Sequence, residues 1–169
     1  MNEQHFTNSE LASGELTIDK YLTFALAKEC YGINISDVVE IIGIMHITPV
    51  PRSPRYCKGV MNLRGKIIPV VDLRLKLNVE AAAYDERTCI IVVNCGVDEL
   101  KMQVGMIVDS VVEVTDFTSN DIQKCPDYGI GMNISHIIGM IKDDHNNVVV
   151  LIDIPRILEE EDMAALGIK

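Results

Sequence analysis

A chain of 169 residues with 48% apolar content is too hydrophobic for global disorder, and one of this length buries roughly 70% of its unfolded surface. Its 25 acidic against 15 basic residues leave a net charge of -10, which disfavours nonspecific attachment to nucleic acid or to an anionic membrane surface. No apolar run is long enough to span a bilayer, and the five cysteines contain no CxxC pair.

In chain order, residues 1–18 read as a polar, flexible leader with no signal-peptide pattern, so a cytoplasmic protein with reduced cysteines is expected. "KYLTFALA" (Lys20–Ala27) alternates as a strand, and "KECYGINI" reads as a turn into a second strand at Tyr31–Ile33. Asn34 can cap the next segment, where Ile35, Val38, Val39 and Ile42 follow helical spacing and predict a short helix. The prolines at 49, 51 and 54 break regular structure. "GVMNL" and "KIIPVV" flank the Arg64–Gly65 turn as a hairpin, with Pro69 at an edge or irregularity. Asp72 caps "LRLKL" before the linker "NVEAAAYDE".

The second half opens with "RTCIIVVNC", turns at Gly96–Asp98, and continues through "ELKMQVGMIVDSVVEV", where Met102, Val104, Met106 and Val108 share a face. Residues 115–137 read mostly as loop. "HIIGMI", the polar "KDDHNN" and "VVVLID" predict a last hairpin, and Asp153 the cap of a terminal helix ending near Gly167.

An internal duplication underlies this order. "SDVVEI" is echoed by "DSVVEV", and "GVMNLRGKIIPVVDLRL" by "GMIKDDHNNVVVLIDIPRIL", with Gly59 matching Gly139 and Asp72 matching Asp153. Two copies of about five short strands predict two small packed barrels, whose closure would hide edge strands.

Signs of catalysis are missing. His5, His46, His136 and His145 have no metal-like spacing, and neither GxGxxG, GxxxxGK nor GxSxG occurs. Asp143, Asp144 and His145 suit a polar turn better than a calcium loop, which needs more ligands at fixed offsets. The informative residues are those of a surface. Arg64 offers a two-pronged contact for a carboxylate, with Lys58 and Lys66 adding positive potential, or these residues only keep a hairpin soluble. Asn62 suits a bond to nearby backbone. The stripe Ile35, Val38, Val39 and Ile42 reads as core, or as the lining of a groove that accepts a partner helix.

The combination of Glu29–Gly32, Val38–Ile41 and the block Lys58–Arg74, "KGVMNLRGKIIPVVDLR", with the looser "VGMIVDSVVEV", "IIGMI" and "VLIDIPRIL", resembles the CheW family of bacterial chemotaxis coupling proteins. That resemblance implies an all-β fold of two packed five-stranded SH3-like barrels with short helices and a C-terminal helix. The family-like domain would run over 19–158, in approximate halves 19–80 and 86–158 with strands shared across the seam, followed by a helical tail at 159–169. It implies a non-catalytic, cofactor-free, metal-free adaptor that joins methyl-accepting chemoreceptor tips to the regulatory domain of the histidine kinase CheA. Such an adaptor is cytoplasmic, recruited to receptor arrays, and neither binds nucleic acid nor inserts into the membrane. Carried onto this chain, receptor contact is expected at Val38 and Arg64, with Val104, Gly105 and Met106 as groove neighbours. Lys58, Gly59, Asn62 and Gly65 form a block that either contacts a partner or shapes the hairpin tip. A scaffold of the same fold in another receptor–kinase pathway is the second reading, and a small-molecule enzyme or binding protein the more distant one.

Overall fold

Alternation of apolar and polar residues from position 18 onward lays down strand after strand, and the computed structural model of the chain describes residues 17–96, 101–124 and 136–158. Strand β1 (Ile18–Leu26) turns through Ala27 and Lys28 into β2 (Glu29–Asn34). Both turn residues have positive φ, 51° and 72°, as a tight two-residue hairpin connection demands. The turn thus precedes Glu29; Tyr31–Ile33 is strand as expected, and Glu29 and Cys30, expected in the turn, are already part of β2. Asn34 does cap the next segment, its Oδ1 accepting from the Ser36 N–H at 2.9 Å, but only one 3-10 turn follows, Ile35–Asp37.

The expected helix through Val39 and Ile42 is instead strand β3 (Val38–Gly43), whose β-branched run suits a pleated surface. Its pairing register shifts between Val38 and Glu40, and this bulge puts apolar residues at intervals that imitate a helix. Then come β4 (Cys57–Leu63), β5 (Lys66–Asp72) and the single helical turn α1 (Leu73–Lys76). Asp72 caps α1, its Oδ1 accepting from the Arg74 N–H at 3.0 Å. Pro69 lies one residue before β5 begins to pair with its second neighbour, so its missing donor breaks no ladder on that side.

The second half supplies β6 (Cys89–Cys95), β7 (Met102–Val108), β8 (Ser110–Thr118), β9 (Ile137–Lys142) and β10 (Val148–Ile152). Strand β8 reaches Thr118 through positions expected to be loop. Asp153 heads a 3-10 turn, Ile154–Arg156, without a side-chain cap bond; Ile157 and Leu158 follow as turn and bend, and the predicted terminal helix from 159 onward lies outside the described residues.

The strands form two five-stranded mixed sheets, ordered β8-β1-β2-β10-β9 and β3-β6-β7-β5-β4. Each sheet draws strands from both parts of the sequence. The two orders are equivalent strand for strand: β2 runs parallel to β10 as β7 runs parallel to β5. Neither sheet closes into the barrel expected from the duplication, because no ladder among the described residues joins β8 to β9 or β3 to β4. Among the described residues, the backbone pairing near each pair of edges is an isolated bridge, Thr48 to Val60 and Gln123 to Met140. Pro49 and Pro51 follow Thr48 closely, and residues without a backbone donor cannot extend that bridge into a strand. Gly59 and Gly139 sit beside these bridges, where an added Cβ would lie 2.0 Å from the Thr48 carbonyl oxygen or 2.6 Å from that of Gln123.

The largest core fills the space between the sheets. Leu22, Phe24, Leu26 and Ile33 meet Val71, Ile91, Val93, Val104, Met106 and Val108 there. Each sheet also curls over a smaller cluster of its own: Met61, Ile68, Val70, Ile90, Val92 and Ile107 in one, Tyr21, Phe117, Ile141, Val149 and Leu151 in the other. Burial of each such side chain contributes about 1.5–3 kcal/mol before conformational entropy is counted against it.

Candidate functional site

The β4–β5 hairpin turns on two residues, Arg64 and Gly65, with φ of 53° and 85°. Gly65 meets nothing where a Cβ would stand, so its role is the backbone conformation alone. Asn62 holds the turn, its Oδ1 accepting from the Gly65 N–H at 2.8 Å, which is the local backbone bond expected of it. With the backbone so fixed, the Arg64 guanidinium reaches across to Glu40 on β3, at the other edge of the same sheet. Nη1 donates to Oε2, and Nη2 to Oε1 at 2.8 Å. The contact is the two-pronged match anticipated for arginine, but its carboxylate comes from within the chain.

Arg64 remains 70% exposed and Glu40 26% at the side chain, so the pair lies at the surface. The hydrogen bond from Arg64 holds the Glu40 carboxyl below its ordinary pKa. Along β3, Val39 and Ile41 flank Glu40 in sequence and are exposed, as is Ile67 on β5, by 65%. Exposed apolar side chains on an edge strand form a surface that gains by being covered. Val38 is half-buried and packs on the core between the sheets, so only part of it faces out.

The other expected site residues are placed differently. Val104 and Met106 are 0% and 1% exposed, with their side chains in the core between the sheets. Gly105 faces the opposite way, and a Cβ there would come 2.8 Å from Ile90 Cγ2 and 3.0 Å from Met61 Cε. These three shape the strand beneath the surface, since buried side chains offer no face to a docking partner. Lys58 is exposed, and Gly59, with φ of 136°, gives β4 room beside Thr48. The structure therefore brings Arg64, Gly65 and Asn62 together with β3, and leaves Lys58 apart, in the lining of a cavity of about 460 Å3 with Arg55, Arg74 and Tyr84. Neither that cavity nor a second of about 280 Å3, around Lys28 and Asp109, includes Val38 or Arg64.

Sequence reasoning missed Glu40 and the ion network around Arg74. Arg74 is 2% exposed at the side chain, bonded through Nε and Nη2 to Asp72 at 2.9 Å each, and through Nη1 to Asp109 at 2.8 Å. The hydrogen bonds that Arg74 donates to Asp72 more than offset burial, so the guanidinium pKa is raised and the group stays charged. The only signal in the chain was the oddity of an arginine inside the apolar spacing of "DLRLKL".

The CheW-like domain model matches residues 20–162. The chain is similar to the chemotaxis protein CheW of Klebsiella aerogenes, with 37% identity over 158 residues, covering 94% of this chain and 92% of that protein. It is similar to CheW of Treponema pallidum at 29% identity, covering 86% of this chain and 85% of that one. Among solved structures, the scaffolding protein TtCheW from Thermoanaerobacter tengcongensis superposes with a TM-score of 0.76 at 32% identity, over 86% of this chain and 96% of that one. Agreement of the family model, of sequence along nearly the whole length, and of strand arrangement leads to one conclusion: the chain belongs to the CheW family.

Proposed function

We propose that the receptor-facing surface of this chain is the edge strand β3 together with the β4–β5 tip, tied to each other by Glu40 and Arg64. As a member of the CheW family, the chain is a non-catalytic adaptor that links methyl-accepting chemoreceptors to the kinase CheA in signalling arrays. That role places it in the cytoplasm at membrane-associated arrays, and no described helix is long and apolar enough to cross a membrane. The observations that support the receptor surface are the exposed Val39 and Ile41 on edge strand β3 and the ion pair that ties the hairpin tip to the same strand.

A receptor helix docks its apolar face on the exposed side chains of β3. Arg64 contributes by holding the hairpin tip against β3, and its remaining donors meet the partner. Val38 supports the strand from below, and Val104, Gly105 and Met106 act only through packing. Kinase contact is made by other strand ends and loops.

Mixing the chain with receptor tips and CheA tests this reading. A ternary complex forms and autophosphorylation changes. Arg64→Ala keeps the fold and lowers receptor affinity about ten-fold, while the affinity for CheA is unaltered. Val38→Asp also loses receptor binding while still melting cooperatively. Unchanged receptor affinity in both folded variants rejects the assignment of this surface.

A further inference from the structure

The two sheets meet at a seam, and the chain passes from one to the other at Asp109, the single residue between β7 and β8. Asp109 Oδ1 accepts from Arg74 Nη1 at 2.8 Å, and its Oδ2 accepts from the Ala27 N–H at 2.7 Å in the β1–β2 turn. Its own N–H donates to the Ala25 carbonyl at 3.1 Å. Arg74 is locked by the fork to Asp72 at the end of β5, donates to the Ala82 carbonyl at 2.8 Å, and lies 5.5 Å from the centre of the Tyr84 ring. One continuous polar chain, Asp72–Arg74–Asp109–Ala27, thus fastens the sheet of β5 and β7 to the hairpin of the sheet of β1 and β2.

Among the described residues, no buried guanidinium fork fastens the equivalent crossing, from β2 to β3. The counterpart of Asp72 is Asp153, and the arginine near it, Arg156, is 72% exposed and 3.9 Å away. Asn34 caps that crossing only locally. A duplicated fold that keeps a buried guanidinium at one crossing and an exposed one at the other is rigid at the first. The Ala27–Lys28 turn, in a conformation that non-glycine residues adopt reluctantly, is held there.

We infer that Arg74 and Asp109 are positioning residues that fix the angle between the sheets and so carry coupling between partners bound to different faces. The inference rests on the adaptor reading above. Full-length Asp109→Asn and Arg74→Lys chains are each compared with wild type for binary affinity to a receptor tip, binary affinity to CheA, kinase autophosphorylation in the ternary mixture, and amide exchange at Ala27. Expected are binary affinities within about two-fold of wild type, a loss of about ten-fold in the receptor-dependent change in kinase rate, and faster Ala27 exchange. Arg74→Lys keeps the charge without the fork and decides the matter should Asp109→Asn fail to fold. Unaltered coupling in a folded variant overturns the inference, as does a loss that tracks either binary affinity. A wild-type chain that forms no ternary complex overturns the adaptor reading itself, and the inference with it.

Discussion

Glu40 shows how one carboxylate gives a surface its shape. Its bond to Arg64 depresses its pKa, so the charged pair is complete at neutral pH and is lost as pH falls through that lowered value. A carbon-detected titration of the Glu40 carboxyl is expected to give a midpoint below the ordinary glutamate range, and Arg64→Ala to return it there. An ordinary midpoint in the wild type would show the pair to be absent in solution. Because both partners face water, losing the pair changes thermal stability little, and the effect belongs to the placement of the hairpin. None of this was legible beforehand: the two residues are 24 positions apart and nothing local links them. Arg64 itself was legible, because a turn flanked by apolar runs advertises its tip, and so was the bond of Asn62 to its own turn.

Strands were legible where alternation is clean. Met102, Val104, Met106 and Val108 do share the face that packs between the sheets. The misreading came at β3, where a bulge gives a strand the spacing of a helix, and at β8, whose polar tail resembles loop. At both sites tertiary pairing decides, and the window of a few residues does not contain it. Edge elements make their own demands on backbone room. Gly59→Ala places a methyl group against the Thr48 carbonyl at positive φ, and about 2–4 kcal/mol of stability is expected to be lost in urea unfolding. A near-neutral result would mean that the Thr48 segment swings away freely from β4. Gly65→Ala, with nothing within reach of its Cβ, is expected to be costly only through its backbone angle.

At the scale of the whole molecule, the duplication was legible from paired segments such as "SDVVEI" and "DSVVEV", but not the way the copies share strands. Parallel pairing of β5 with β7 and of β2 with β10 joins residues far apart in sequence, and no spacing rule announces it. The expected barrels failed for the same reason: closure depends on whether edges meet, and here proline and single bridges stop them. The network at Arg74 binds these shared parts. Arg74→Met leaves the Asp72 carboxylate buried without its partner, and a loss of about 3–5 kcal/mol is expected from denaturant unfolding. A loss under 1 kcal/mol would mean that water reaches Asp72 in the folded state.

Shared strands also govern how the chain can be divided. A cut in the stretch between α1 and β6 would give one fragment holding β1 to β5 and another holding β6 to β10, and each sheet is built from strands of both. Neither piece has a complete sheet to fold around. Mixed together, each supplies the missing partners of the other, so the severed halves would regain their form only as a complementing pair.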